Sequence, residues 1–425
     1  MASGRSVDDT LIVGIDARLR SGKSGGVEQF IIGLASGLSR LTDGQERYLF
    51  LTYPGEEAWL RPYLGRSCRL VPRPWFRSNR PKWVASLSRR SRGALARWRA
   101  PVEVPDPRSM SDGTLETLGA RVIHFPMQSA FVTELPTIYH PWDLQHLHLP
   151  DFFSRDVIAD RERWYRLFCD RAAMVVAATS WVKDDLVEKY RLPPSKISVI
   201  PVPPPIDAYA PVSETTISEV RRHLALPDQF VFYPAQTWPH KNHIRLLRAL
   251  ALIRDRHGIE IALVCSGLQN DHYADIAAET TRLRLDHQVR FLGFVSAVEV
   301  QALYRSSRAL VFPSLFEGWG LPVVEAFSTG LPVACARVTS LPELVGDAAL
   351  LFDPYDANDI GEAVMRIWTD ERLRREMSAK GQDRVRDADW THTARVFRAH
   401  YRTAAQQNIE PDDVELLEHE ARGWA

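Results

Sequence analysis

The chain has 425 residues, and its 53 Lys plus Arg are balanced by 53 Asp plus Glu, so the formal net charge is zero. That length predicts two or three domains, at roughly 100–200 residues each. With 45% hydrophobic and 25% charged residues the chain reads as an ordinary folded protein, which excludes a largely disordered or collagen-like chain. The even charge balance argues against a protein that coats nucleic acid.

No run of 18 apolar residues occurs, and the opening MASGRSVDDT lacks the apolar core of a secretory signal, so a cytoplasmic protein without a transmembrane helix is expected. Cys68, Cys169, Cys265 and Cys335 are far apart and form no C-x-x-C pair. Reduced structural thiols are therefore expected rather than disulfides or zinc ligands.

Short β-branched runs alternate with helical stretches. The first half carries LIVGID (11–16), YLFLT (48–52), VIHF (122–125), TIYH (137–140), MVVAAT (174–179) and ISVIPV (197–202). A proline-rich stretch, PVPPPIDAYAPVSE (201–214), cannot continue a helix or a central strand. The second half carries FVFYPA (230–235), IEIALVCSG (259–267), VRFLGF (289–294), ALVFPS (309–314), LPVACA (331–336) and ALLFD (349–353). Apolar runs without alternation, spaced by helices, indicate parallel strands covered on both faces. The reading is α/β: two doubly wound domains facing a cleft, with ligands at the carboxyl ends of the strands. WTHTARVFRAHYRT (390–403) reads as a helix packing Ala394, Phe397 and Tyr401 on one side.

The loops after the strands carry the chemistry. In GIDARLRSGKSGGVEQF the segment SGKSGG resembles a phosphate loop, but Ala17 stands where such a loop needs its first glycine, so an NTPase is rejected. What remains is Gly25-Gly26 before an apolar helix, read as a ligand-facing loop or a plain tight turn. After TIYH comes the polar, histidine-rich PWDLQHLHLPDFF. VVAATSWVKDDL places Ser180 and Trp181 at a strand-to-helix turn, where Ser180 also reads as an N-cap.

YPAQTWPHKNH (233–243) follows a strand, and Lys241 offers a point charge for a diphosphate leaving group. The densest signal is PSLFEGWGLPVVEAFSTGLPVACA (313–336). A strand ends at Ser314, a turn flanked by Gly318 and Gly320 follows, Pro322 opens a helix and Gly330 closes it. The glycines admit a close ligand, and the helix N-terminus offers free N–H groups to a diphosphate. Glu317 and Glu325 can accept hydrogen bonds from sugar hydroxyls. The plainer alternative is a helix cap at Glu317 and a surface charge at Glu325.

These motifs, with VRFLGFVS and SLPELVGDAALLFDP, resemble the family-4 retaining glycosyltransferases of the GT-B fold, whose E-x7-E motif stands here as Glu317-GWGLPVV-Glu325. The resemblance covers most of the chain and is strongest over 230–355. It implies two Rossmann-like domains: an acceptor domain over 1–205, a nucleotide-sugar domain over 206–390, and a helix plus acidic tail over 391–425 crossing back to the first domain. It implies that Glu325 holds the ribose hydroxyls and that Glu317 contacts the transferred sugar. Backbone amides over Gly318, Trp319, Gly320 and Leu321 bind sugar hydroxyls and phosphates, and Gly25-Gly26 faces the donor phosphates and the acceptor.

In the family an Arg stands five residues before the Lys, and both contact the phosphates; here that position is Gln236, which carries no charge. A His-Asp pair often follows the TIYH strand, and this chain has Trp142-Asp143 instead. His140 and His146 are the candidates for the missing histidine, and purely structural histidines are the alternative. The implied activity is metal-independent transfer of a hexose (mannose, glucose or GlcNAc) from a GDP- or UDP-linked donor to a glycan, lipid-linked or small-molecule acceptor. No cofactor or nucleic acid is involved. A disaccharide phosphorylase and a non-catalytic sugar-nucleotide sensor are the rivals, whereas an NAD enzyme lacks its G-x-G-x-x-G.

No metal site is expected. The one D-x-D, Asp387-Ala388-Asp389, lies in the C-terminal helical region and reads as solvated surface. Charge is segregated: nine basic residues and no acid lie between Arg73 and Arg99, and six acids with one Arg lie between Glu410 and Ala425. Trp83, Leu87, Ala94 and Trp98 share one face if the basic segment is helical, with Arg89 and Arg90 beside them. This predicts peripheral contact with a membrane or a lipid-linked acceptor, against a solvated excursion or a pocket for a soluble anionic acceptor.

Overall fold

The computed structural model describes residues 10–22, 25–74, 110–205 and 212–420. Two parallel sheets organise it. The first has the order β3-β2-β1-β4-β5-β6-β7, and its strands are β1 (Ile12–Asp16), β2 (Arg47–Thr52), β3 (Cys68–Pro72), β4 (Val122–Phe125), β5 (Thr137–Tyr139), β6 (Met174–Ala177) and β7 (Ile197–Val199). The second has the order β10-β9-β8-β11-β12-β13, and comprises β8 (Val231–Pro234), β9 (Leu263–Ser266), β10 (Val289–Phe291), β11 (Ala309–Phe312), β12 (Val333–Ala336) and β13 (Ala349–Phe352). Every pairing within both sheets is parallel.

Each sheet reverses its winding once, between β1 and β4 and between β8 and β11. Crevices for ligands open at such switch points, beyond the carboxyl ends of the strands. The loops after β8 and β11 are those that carry Lys241 and Glu317. Strand β3, CRLVP, was not among the apolar runs: it is an edge strand with an alternating exposure, and its Pro72 is tolerated because an edge needs fewer donors.

The helix Trp390–Ala404 leaves the second domain and packs on the helix Gly26–Arg40 of the first. Trp390 is 1% exposed, stacks edge-on to Phe30 at 5.7 Å, and donates its indole N–H to the carbonyl of Pro204 at 3.0 Å. Gly33 is required opposite it, because a Cβ there would run into the Trp390 ring. The acidic tail is docked rather than solvated over its first part. Its helix Pro411–Glu420 places Asp413 on Arg402 at 2.6 Å, while Arg402 also meets Glu46 and Arg398 meets Asp43. The D-x-D is a helix cap: Asp389 accepts the N–H of His392 at 3.1 Å. All four cysteines are free thiols, three of them buried. Among the described residues no helix is long and apolar enough to cross a membrane.

Inward-packed imidazoles predict an acid-sensitive fold: His124, His140, His146 and His243 are buried and His240 is half-buried. Burial lowers His124 and His243 to about 3 and His240 to about 2, with the Lys241 charge adding to the effect on the last two. In the unfolded chain they titrate near 6.5, so below about that pH the unfolded state binds the protons. Stability is therefore complete above about pH 6.5 and falls as the pH drops, by up to about 1.4 kcal/mol per unit for each histidine. Denaturant melts at pH 7 and pH 5 should show a loss of several kcal/mol; equal stability at both would contradict this burial.

Candidate active site

The donor-side half of the cleft is built from two loops. After β8 the chain passes Gln236 and Trp238, makes one 3-10 turn over Pro239–Lys241, and starts the helix His243–His257 from Asn242 in a left-handed conformation (φ 61°). The Asn242 side chain fixes this corner by donating to the carbonyls of Pro313 at 2.9 Å and Pro354 at 2.8 Å. The Tyr233 hydroxyl donates to the Lys241 carbonyl at 2.6 Å. These bonds leave the Lys241 side chain aimed across the switch point.

There it meets Glu317. Lys241 Nζ donates to Glu317 Oε1 at 2.6 Å, with both side chains largely buried. The Glu317 main chain is equally constrained: its N–H donates to Thr339 Oγ1 at 3.1 Å, and its carbonyl accepts from Thr339 Oγ1 at 2.8 Å and Ser340 Oγ at 2.7 Å. Glu317 is thus no helix cap. The cap of the helix Leu321–Ser328 is Gly320 at φ 111°, a conformation open to glycine, and Pro322 falls in the first turn as the second residue. Trp319 turns into the core, and its carbonyl accepts from Ser340 Oγ at 3.4 Å.

Glu325 is not a surface charge. It is 7% exposed and accepts a hydrogen bond from the Tyr304 hydroxyl, on the helix Ala297–Ser306. Tyr304 carried no signal in the sequence, because a single tyrosine on an amphipathic helix reads as core. Gln236 is engaged by its neighbour: the Trp238 indole N–H donates to its Oε1 at 3.0 Å. An indole N–H only donates, so the amide oxygen is the end so occupied.

The first domain closes on these loops from the other side. A Cβ on Gly26 would lie 3.5 Å from Leu321, bringing the glycine pair against the first turn of the helix that carries Glu325. Gly25 sits at φ 50° and its carbonyl accepts from Glu28 N at 3.1 Å, while the Glu28 carboxylate accepts from Gly22 N at 2.8 Å and Ser21 Oγ at 2.9 Å. Trp142 is left-handed at φ 67° and its indole donates to the Pro126 carbonyl at 3.0 Å. Its own carbonyl abuts Gly318. Asp143 Oδ1 accepts from Gln145 N at 3.0 Å; burial raises its carboxyl, aided by the Glu317 charge and opposed by that N–H and by the Arg161 and Lys241 cations.

The histidines of this loop pack inward. His140 is 2% exposed, ringed by Phe30, Trp142 and Phe397, and its Nε2 faces His124 Nε2 at 2.8 Å, with His124 Nδ1 on the Tyr401 hydroxyl at 2.7 Å. It ties the crossing helix to the sheet instead of opening into the cleft. His146 is also buried, on Glu162 at 3.1 Å, so both histidines have the inward partners of the structural alternative. Ser180 is not the N-cap either; Thr179 is, accepting from Val182 N at 3.2 Å. Trp83, Arg89, Arg90 and Trp98 lie outside the described residues. Among the described residues no three His, Cys, Asp or Glu side chains stand together as metal ligands.

Two protein-family models tile this architecture. "Glycosyltransferase Family 4" matches residues 24–208 and "Glycosyl transferases group 1" matches residues 217–384. The chain belongs to glycosyltransferase family 4. This family-4 chain is 28% identical over 258 residues to the O-antigen chain mannosyltransferase B of Escherichia coli, covering 60% of this chain and 66% of that protein. It thus spans just under two thirds of that relative's length. Sucrose-phosphate synthase from Thermosynechococcus elongatus shares the fold with a TM-score of 0.67 at 18% identity, over 92% of this chain and 98% of that one. Anabaena HepE, solved in complex with UDP and glucose, gives 0.66 at 17% identity over 92% of this chain and 100% of that one. The fold is therefore GT-B.

Gly318 limits how closely the loops of the two domains approach. A Cβ on Gly318 would lie 2.5 Å from the Trp142 carbonyl oxygen and 3.1 Å from Asp143 Cβ. Gly318→Ala should force the loops apart and raise the radius of gyration measured by small-angle scattering. An unchanged radius would show that the contact is no constraint.

Proposed function

We propose that this chain is a metal-independent, retaining hexosyltransferase that uses a nucleotide diphosphate sugar and an acceptor hydroxyl. The observation that carries the reading is the Lys241–Glu317 pair at 2.6 Å, set at the switch point of the second sheet, with Trp142 and Asp143 of the first domain against the neighbouring Gly318. An ammonium there suits the charge that develops on a departing diphosphate, and the N-terminus of the helix Leu321–Ser328 adds N–H groups and a partial positive charge. In this assignment Glu325 holds the ribose hydroxyls, and Glu317, released from Lys241 by the incoming phosphates, holds the sugar. The buried Tyr304 hydroxyl orients Glu325 for that task.

The site needs no enzymic nucleophile in this account. It holds the donor, stabilises the leaving diphosphate and excludes water when the domains meet. Gln236 supplies hydrogen bonds but no charge, which shifts the neutralisation of the diphosphate onto Lys241 and the helix N-terminus. The mannosyltransferase relative supports mannose as the sugar, and GDP- and UDP-linked hexoses are the donors to test. A glycan, lipid-linked or small-molecule hydroxyl is the acceptor class.

Calorimetry against a panel of nucleotide sugars fixes base and sugar together, and one tight donor is expected. Glu325→Ala should weaken nucleotide binding about 10- to 100-fold, since buried charge-assisted bonds contribute about 1.5–3 kcal/mol. Lys241→Ala should lower kcat more than it changes donor affinity. Proton NMR of the product should show the donor's anomeric configuration. Undiminished activity in both variants, or an inverted product, would overturn the assignment. Binding without transfer across an acceptor panel would favour a sensor, and release of sugar 1-phosphate from a disaccharide would mark a phosphorylase.

A further inference from the structure

The helix Ser180–Tyr190 of the first domain begins with the N–H groups of Ser180, Trp181 and Val182, which no helical carbonyl satisfies. One is met locally: Val182 N donates to Thr179 Oγ1 at 3.2 Å, and Lys183 N makes the first regular helical bond, to the Thr179 carbonyl at 3.1 Å. The other two are met from the second domain. Ser180 N donates to Glu343 Oε1 at 2.8 Å and Trp181 N to Glu343 Oε2 at 3.0 Å. A carboxylate at a helix N-terminus is favoured by both the free N–H groups and the helix dipole.

Glu343 is joined to the reaction site by a short, stiff path. It lies in the helix Leu341–Val345, which follows the Thr339 and Ser340 hydroxyls that hold the Glu317 carbonyl. Arg384 fixes that helix from behind, donating Nη2 to the Glu343 carbonyl at 2.8 Å and Nε to the Leu344 carbonyl at 3.1 Å. Phe316, the residue before Glu317, packs on both Trp181 (5.6 Å, edge-on) and His148 (5.2 Å), which also touch each other. His148 is held in turn by Asp185 at 2.8 Å. The carboxylate and the phenyl ring therefore grip the same helix end, one from the helix after Ser340 and one from the residue before Glu317.

We infer that Glu343 is a positioning residue: its carboxylate latches the two domains together and sets Glu317 against the first domain. The inference rests on the transferase reading above for its kinetic consequence, but not for its structural one. Lys241, Gln236, Glu317 and Glu325 all lie on the second domain, so most donor contacts form without the latch, and only those of Gly25-Gly26 wait for closure. Transfer does, because acceptor and donor meet only across the closed cleft. A broken latch also admits water, so more donor is hydrolysed for each transfer.

The test uses the full chain with Cys68→Ser and spin labels at Glu134→Cys and Arg375→Cys, two exposed positions on opposite domains. Glu343→Ala should broaden and lengthen the interdomain distance and lower kcat at least 10-fold. It should leave donor Kd within about twofold and raise the ratio of hydrolysis to transfer. Glu343→Gln, which keeps acceptor oxygen but no charge, should fall between wild type and Glu343→Ala, and it carries the test alone if the alanine variant does not fold. An unchanged distance overturns the latch, and so does a fall in kcat that is matched by an equal loss of donor affinity. If the wild type transfers from no donor, the transferase reading fails while the distance measurement still decides the latch.

Discussion

Much of the site depends on one ion pair. Lys241 and Glu317 stand 76 positions apart, on loops that follow β8 and β11, and they meet because those strands are neighbours where the sheet changes direction. Neither loop is free to adjust. Asn242, Tyr233 and Thr339 tie the main chain on both sides of the pair, so its geometry belongs to the fold and not to two flexible side chains. In the proposed reaction this pair is also the resting state of the phosphate site: the ammonium rests on a carboxylate until an anion with more charge displaces it. Gln236 makes that exchange more consequential, since no second cation stands at the position where the family has one.

The second constraint is the way the domains are held. The crossing helix anchors them with Trp390 against Phe30 and Gly33, a dry contact that fixes which faces oppose. Nearer the chemistry the contacts are close and mixed: Gly26 on Leu321, Gly318 under the Trp142 carbonyl, Phe316 on Trp181, Glu343 on a helix end. A hydrophobic hinge with a cleft of mixed contacts is an arrangement that can open for substrate and close around it. The His124–His140–Tyr401 chain belongs to the anchored part, where burial keeps its imidazoles neutral.

Much of this was legible in the sequence. Twelve of the thirteen described strands overlap apolar runs, because strands of parallel sheets are covered on both faces and leave an unbroken signal. The glycine-flanked turn and its two carboxylates were visible because ligand approach demands small residues at fixed spacing. What escaped were partners set by tertiary contact alone. Tyr304 reaches Glu325 from another helix, Glu343 reaches Ser180 from another domain, and His140 turns inward onto His124. Each is an ordinary residue on an ordinary element, and only the packing gives it a role. Edge strand β3 escaped for the opposite reason: half-exposed strands lose the apolar run that marks the others.

The most direct test of the central claim is a crystal structure with an unreactive nucleotide diphosphate sugar bound. The account predicts the diphosphate at the N-terminus of the helix Leu321–Ser328, with Lys241 Nζ moved off Glu317 onto a phosphate oxygen and Glu325 on the ribose. A nucleotide seated elsewhere, or seated there with the Lys241–Glu317 pair still intact, would contradict it.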